Sequence, residues 1–207
     1  MENTNKKLLM YKIIFIILII VAIVVASIII KKRYDDQIYD KKNNDIVKLF
    51  YEAEKEQGKT ENNENENNKT EIQLELEGHK VIGIIKIPSI DLEYPILEKT
   101  TSETMRIAIT RFQGGEVNGY GNISLAGHNN YSGTMFGKNK NLKMGDKVYL
   151  TDLSGMTIKY EIYDIFVTNP DDTSILETKD ETIREVTLIT CKNGRSERLI
   201  IKAKETV

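Results

Sequence analysis

Cysteine is nearly absent: Cys191 is the only one in 207 residues, and only two histidines, His79 and His128, accompany it. One thiol excludes an internal disulfide framework and a multi-thiolate zinc site. Basic residues are not in surplus either. The balance of 29 Lys and Arg against 31 Asp and Glu leaves a formal charge of −2, which removes the composition-based case for nucleic acid, because phosphate affinity rests on excess cationic charge. Nor is there material for two globular domains. With the apolar N-terminal run and the polar stretch behind it set aside, roughly 130 residues remain, enough for one core.

Apolar residues are concentrated at the front. Ile13 to Ile30 is a run of Ile, Leu, Val, Phe and Ala interrupted only by Ser27. At about 1.5 Å per residue such a helix is roughly 27 Å long, close to the hydrocarbon thickness of a bilayer. A cleavable signal peptide has a shorter apolar region and a small-residue cleavage site; here the run closes on Ile28-Ile29-Ile30 and the basic Lys31-Lys32-Arg33. The expectation is an uncleaved transmembrane signal anchor over 13–30, preceded by a short N-terminal segment, 1–12. Lysines and arginine flank both ends, so the positive-inside rule alone sets no orientation.

Residues 31–77 read as a polar stalk. Ile46, Leu49, Phe50 and Ala53 sit at helical spacing ahead of Gly58, giving a short helix over 45–57, either transient in a tether or docked on the domain. Thr60 to Thr70 holds Glu, Asn and Lys with no apolar residue, a disordered spacer by composition. His79, beside Gly78, reads as a solvated linker residue. From 78 to 207 the texture is that of an all-β domain. The runs Val81–Ile87, Leu92–Leu97, Ile123–Ala126, Lys147–Thr151, Thr157–Val167, Glu185–Cys191 and Arg198–Ala203 predict about seven or eight strands, and helical patterning is confined to Ser102–Thr110 and Asp172–Thr178. That combination is a barrel or sandwich with brief helical connections.

The last two strands can be read to the level of side-chain facing. Asn193-Gly194 between apolar runs is a strong hairpin signal. A two-residue loop sets Leu188 opposite Leu199 and Val186 opposite Ile201 on an apolar face, and Glu185 opposite Lys202 on the other. On that second face Cys191 and Arg198 become diagonal neighbours, while Arg195 points away. A cysteine at a strand end is commonly a small core residue. Here the core face is already filled, and a permanent cation favours the thiolate. The missing partner for nucleophilic chemistry is a group near neutral pKa. His128 fits, following a strand that ends in Gly127, a residue that leaves room for close approach.

At these residues the chain resembles the sortases, the membrane-anchored cysteine transpeptidases of Gram-positive bacteria. The resemblance covers about Val81 to Lys204. Gly83 to Leu92, closed by Tyr94-Pro95-Ile96, is similar to their opening strand pair; Leu125-Ala126-Gly127-His128 resembles the segment bearing their histidine; Leu142 with Gly145-Asp146 and Val148 fits the next strand. Thr187-Leu188-Ile189-Thr190-Cys191 resembles the family's TLxTC motif, and Arg198-Leu199-Ile200-Ile201 the arginine strand after it.

The resemblance implies a closed eight-stranded β-barrel and a two-step transpeptidation. Cys191 attacks the Thr–Gly carbonyl of an LPxTG-like sorting signal to give a thioester, and an amine from a cell-wall precursor or a pilin lysine resolves it. His128 is the general acid and base and Arg198 holds the substrate backbone or oxyanion, with Ala126 and Thr190 lining the substrate groove. No cofactor is implied, and calcium ligands of the class A type find no match, so no metal is assigned. It also implies a cell-membrane protein with its N-terminus inside and its catalytic domain outside. Class C proteins carry an Asp-Pro-aromatic lid and class B proteins a long helix before the arginine strand; neither pattern is found, and a class D or E type is the expectation. A pilin-joining enzyme, a hydrolytic cysteine peptidase and, more distantly, a non-catalytic binding domain are the alternatives.

Overall fold

The β-type runs pair into a sheet that closes on itself. The computed structural model describes residues 2–60 and 72–206. Its strands are β1 (Glu75–Leu76), β2 (His79–Ile87), β3 (Leu92–Leu97), β4 (Ile109–Gln113), β5 (Gly121–Ala126), β6 (Lys147–Asp152), β7 (Thr157–Thr168), β8 (Arg184–Lys192) and β9 (Glu197–Glu205). They follow the order β1-β2-β3-β4-β5-β8-β9-β7-β6, and β2 also pairs with β6. Strands β2 to β9 therefore form the closed eight-stranded barrel that the sequence predicts, with β1 as a short appendage. Closure is tight at Gly83, where a β-carbon would sit 2.5 Å from the carbonyl of Thr151 on β6. Only glycine allows that approach.

Alternation fills the interior. Ile85, Ile87, Ile109, Leu125, Val148 and Leu188 point inward and are wholly or almost wholly buried, as period-two patterning requires. The two expected helical stretches are shorter than their patterns. Of Ser102–Thr110 only α2 (Thr104–Ile107) is helical, once α1, described below, is counted as the first helix, because Ile109 and Thr110 enter β4. Of Asp172–Thr178 a single 3₁₀ turn, Ser174–Leu176, remains.

Helix α1 spans Glu2–Thr60 and belongs to two compact units, Met1–Ile38 and Tyr39–Val207. In the first unit every side chain from Leu9 to Ile30 is exposed, and the helix is long and apolar enough to cross a membrane. In the second unit the helix packs on the barrel. The expected helix over 45–57 starts earlier, and its buried stripe is Asn43, Ile46, Val47 and Phe50, an i, i+3, i+4, i+7 pattern. Leu49, expected on that stripe, is 48% exposed. The stripe covers Val81, Leu97 and Ile107 on one side and Ile72 and Ile84 on the other, so β2 is apolar on both faces.

Polar contacts fix the helix. Asn43 Nδ2 donates to the Ile107 carbonyl at 2.8 Å, Tyr51 Oη to Glu93 at 2.8 Å, and Tyr94 Oη to Asp40. Burial, then the bond to Glu93, raises the Tyr51 hydroxyl well above the ordinary tyrosine range. The compact unit thus reaches upstream of residue 78, because the stalk's apolar residues find barrel surface to cover. Ile72 and Leu76 are buried as well. The spacer expected over 60–70 lies outside the described residues from Glu61 onward.

Removing a side chain from this stripe tests the docking. Phe50→Ala is expected to lower unfolding stability by about 3–5 kcal/mol, and Leu49→Ala by less than about 0.5 kcal/mol, measured by denaturant unfolding of the detergent-solubilised protein.

Candidate active site

Three adjacent strands bring the expected residues together. β5 and β8 run parallel, with Ala126 beside Ile189. Their contact continues past the end of β5: Gly127 N–H donates to the Ile189 carbonyl at 3.2 Å, and Thr190 Oγ1 donates to the Gly127 carbonyl at 2.7 Å. One further step along both chains sets His128 beside Cys191. Across the other edge of β8, Cys191 is directly opposite Arg198 on β9. Cys191 thus lies between Arg198 on β9 and the chain that leaves β5 through Gly127 and His128.

The hairpin differs from its sequence reading in one respect. Its loop is four residues, Asn193 to Ser196, not two, with Lys192 opposite Glu197. Ser196 closes the turn on the Asn193 carbonyl through its N–H at 3.4 Å and its hydroxyl at 3.0 Å, and Asn193 Nδ2 bonds Glu197. The added pair of residues moves every partner by two, so Leu188 faces Ile201 and Val186 faces Ala203. A shift by two preserves the faces. Cys191 and Arg198 stay on one face but are direct rather than diagonal partners.

The backbone makes that partnership close. The Ile189 carbonyl is used toward β5, and since polar groups alternate along a strand, those of Cys191 point toward β5 too. Cys191 and Arg198 are then a non-hydrogen-bonded antiparallel pair, the kind whose side chains approach more closely, with Cα atoms about 4.5 Å apart. Both residues are half-buried. Arg198 Nη1 donates to the carbonyls of Arg195 at 3.1 Å and Glu197 at 3.2 Å, which holds the guanidinium at the turn. The contribution of Arg195 is its carbonyl; the residue itself is exposed.

Glycine is required beside the histidine. A β-carbon on Gly127 would sit 2.8 Å from the Phe136 ring, and the His128 carbonyl accepts from Phe136 N–H at 3.0 Å. The loop after His128 folds back on this ring and carries a fully exposed Tyr131. Ala126, the last residue of β5, is buried two positions before His128. Thr190 is buried on the core side of β8, its hydroxyl committed to Gly127. His79 opens β2 instead of lying in a linker; its Nε2 is 3.8 Å from Glu103 Oε1.

Beside the site, the segment 169–183 covers the outer face of β8 and β9. Ile175 packs on Ile189 and Ile200, and Asn122, held by Thr187 Oγ1 at 2.9 Å, reaches the Ile175 carbonyl at 3.4 Å. Asp172 accepts from the Ser174 N–H at 3.0 Å and hydroxyl at 2.6 Å at the start of the 3₁₀ turn, and its carboxyl is held below the usual range by the Ser174 hydroxyl and then by Thr168. Further along the same face, Lys202 Nζ and Glu185 Oε1 form a buried ion pair at 3.0 Å, with Tyr163 donating to the same carboxylate at 2.7 Å. The sequence pairing of Glu185 with Lys202 is therefore kept, as a diagonal contact. On the far side of β5, a cleft of about 470 Å³ opens between Glu98–Thr101 and Arg111–Gly114.

The family model for the sortase domain matches residues 85–206. The chain belongs to the sortase family. It is 37% identical over 117 residues to sortase A of Bacillus anthracis, covering 56% of this chain and 54% of that protein. It is 33% identical over 110 residues to sortase D of Bacillus subtilis, covering 53% of each. This sortase spans about half the length of the curated relatives it matches. Among solved structures, the sortase D5 transpeptidase of Clostridium perfringens superposes with a TM-score of 0.61 at 27% identity, over 83% of this chain and 99% of that one. Sortase A from Corynebacterium diphtheriae gives 0.57 at 30% identity over 62% of each chain.

The close seat of Phe136 on Gly127 has a measurable consequence. Gly127→Ala is expected to destabilise this sortase by about 1–3 kcal/mol through overpacking. Phe136→Leu in the same chain should recover part of that loss, seen as non-additive unfolding free energies.

Proposed function

We propose that this sortase is a cysteine transpeptidase that cleaves an LPxTG-like sorting signal between Thr and Gly and passes the acyl group to an amine. The observation that carries the reading is that Cys191 on β8 is paired with Arg198 on β9, while His128 follows the end of β5 on the other side of β8, past the Ala126–Ile189 pair. In the first step the Cys191 thiolate adds to the Thr carbonyl carbon. The tetrahedral intermediate collapses as His128, as imidazolium, protonates the departing glycine nitrogen, leaving a thioester on Cys191. In the second step an amine adds to the thioester and loses its proton to His128, and the Cys191 thiolate departs. One group that first gives and then takes a proton serves both halves.

Arg198 is cationic at any working pH and presents donors in a fixed fork. Those not bound to the turn carbonyls would meet the oxyanion or the substrate backbone. We assign Ala126 to the groove floor, and Thr190 to holding Gly127 rather than to touching substrate. The acceptor is an amine from a cell-wall precursor or a pilin lysine. The apolar helix would anchor the enzyme in the cell membrane with residues 1–12 inside and the barrel outside, where surface proteins arrive. A class D or E type is compatible with the likeness to sortase D proteins.

Incubating the detergent-solubilised chain with a panel of LPxTG-type peptides and hydroxylamine, followed by mass spectrometry, should yield a Cys191 thioester and the hydroxamate of the Thr fragment. Cys191→Ala should abolish both. His128→Ala should cost about 10²–10⁴ and Arg198→Ala about 10²–10³ in turnover, with Arg195→Ala nearly silent. Product formed only with water, whatever amine is added, would identify a hydrolytic peptidase instead; activity lost in Arg195→Ala but kept in Arg198→Ala would overturn the arginine assignment.

A further inference from the structure

We infer that Asn129 is a positioning residue that fixes the spacing between His128 and Cys191. The inference rests on the assignment of those two residues as the catalytic pair. Asn129 Nδ2 donates to the Cys191 carbonyl at 2.9 Å. In an uninterrupted parallel ladder that carbonyl would accept from the backbone N–H two residues beyond Gly127, which is the N–H of Asn129 itself. The chain has turned away by then. The His128 carbonyl accepts from Phe136, and Asn129 forms an isolated antiparallel bridge with Met135. The Asn129 side chain therefore takes the place its own backbone has left.

The consequence follows from what is tied at each end. Cys191 O is part of the nucleophile's own residue, and Asn129 is joined by one peptide bond to His128. Upstream, Thr190 Oγ1 performs the same substitution on the Gly127 carbonyl. Two side-chain bonds thus bracket the histidine where backbone pairing gives out, one on each side of it. The Thr190 bond is buried, whereas Asn129 is exposed at the mouth of the site. An exposed hydrogen bond adds little to folding stability, but a loop displacement near 1 Å at a reacting pair lowers turnover by about 10²-fold.

Asn129→Leu keeps the shape of the side chain and removes the donor; Asn129→Gln keeps an amide. For Asn129→Leu, kcat for peptide transfer to hydroxylamine should fall between about tenfold and 100-fold, with KM for the peptide and the melting temperature unchanged. Asn129→Gln should restore much of the loss. A second readout needs no peptide: His128→Ala should change the rate of Cys191 alkylation by iodoacetamide in the native background and much less in Asn129→Leu, a coupling between the two positions. Equal effects of His128→Ala in both backgrounds, or a kcat loss matched by a fallen melting temperature and not rescued by Gln, would overturn the role. A native chain that turns over no peptide and whose alkylation is indifferent to His128→Ala would refute the catalytic pair itself, and Asn129 with it.

Discussion

Everything at the site depends on the parallel pairing of β5 with β8. Parallel strands end at the same edge of a sheet, so residues just past their C-terminal ends become neighbours. Gly127 and Thr190 are 63 positions apart in sequence and joined by a hydrogen bond. A parallel pair needs a long crossover, and strands β6 and β7 are that crossover here, wrapping the sheet until β2 and β6 meet. No local motif could bring His128 to Cys191 without the rest of the barrel in place.

Legibility in the sequence followed the range of the forces involved. The faces of the last hairpin were readable from alternation alone, since Leu188 and Ile201 need the core while Cys191 and Arg198 do not. The loop length was not, because the Asn-Gly signal describes two residues and the bonds of Ser196 and Glu197 to Asn193 extend the turn. The need for glycine before the histidine was visible; the ring that imposes it, Phe136, lies in a loop with no strand pattern. The docked helix was half visible. Its periodicity announced an apolar stripe, but which residues form that stripe depends on Val81, Ile84 and Leu97, far along the chain. Asn129 carried no signal, since an asparagine in a loop is unremarkable until the carbonyl it meets is known.

The outer face around the site is built differently from the interior. Inside the barrel, aliphatic side chains fill the space between all the strands. Outside, segment 169–183 rests on Ile175 and the partly buried Leu176, and on hydrogen bonds through Asn122, Thr178 and Asp172. Sparse apolar contact places such a segment toward the low-stability end of the structure. The Lys202–Glu185 pair beside it is the opposite case. Two buried charges that satisfy each other add little net stability but are costly to separate, so they fix the register of β8 against β9 more than they strengthen it.

Barrel closure also decides how a peptide can be read. Proteins that recognise extended peptides often do so by offering a free sheet edge, so that the ligand adds a strand and its main chain supplies affinity whatever its side chains are. β5, β8 and β9 each have a partner on both sides, so none of the three is an edge strand. A peptide bound here would lie across a face of the sheet, where its backbone amides would meet side chains and loops, and where its own side chains would fill the floor and walls. Recognition on such a surface would be governed by residue identity, which is the property that the proposed cleavage of one short motif requires.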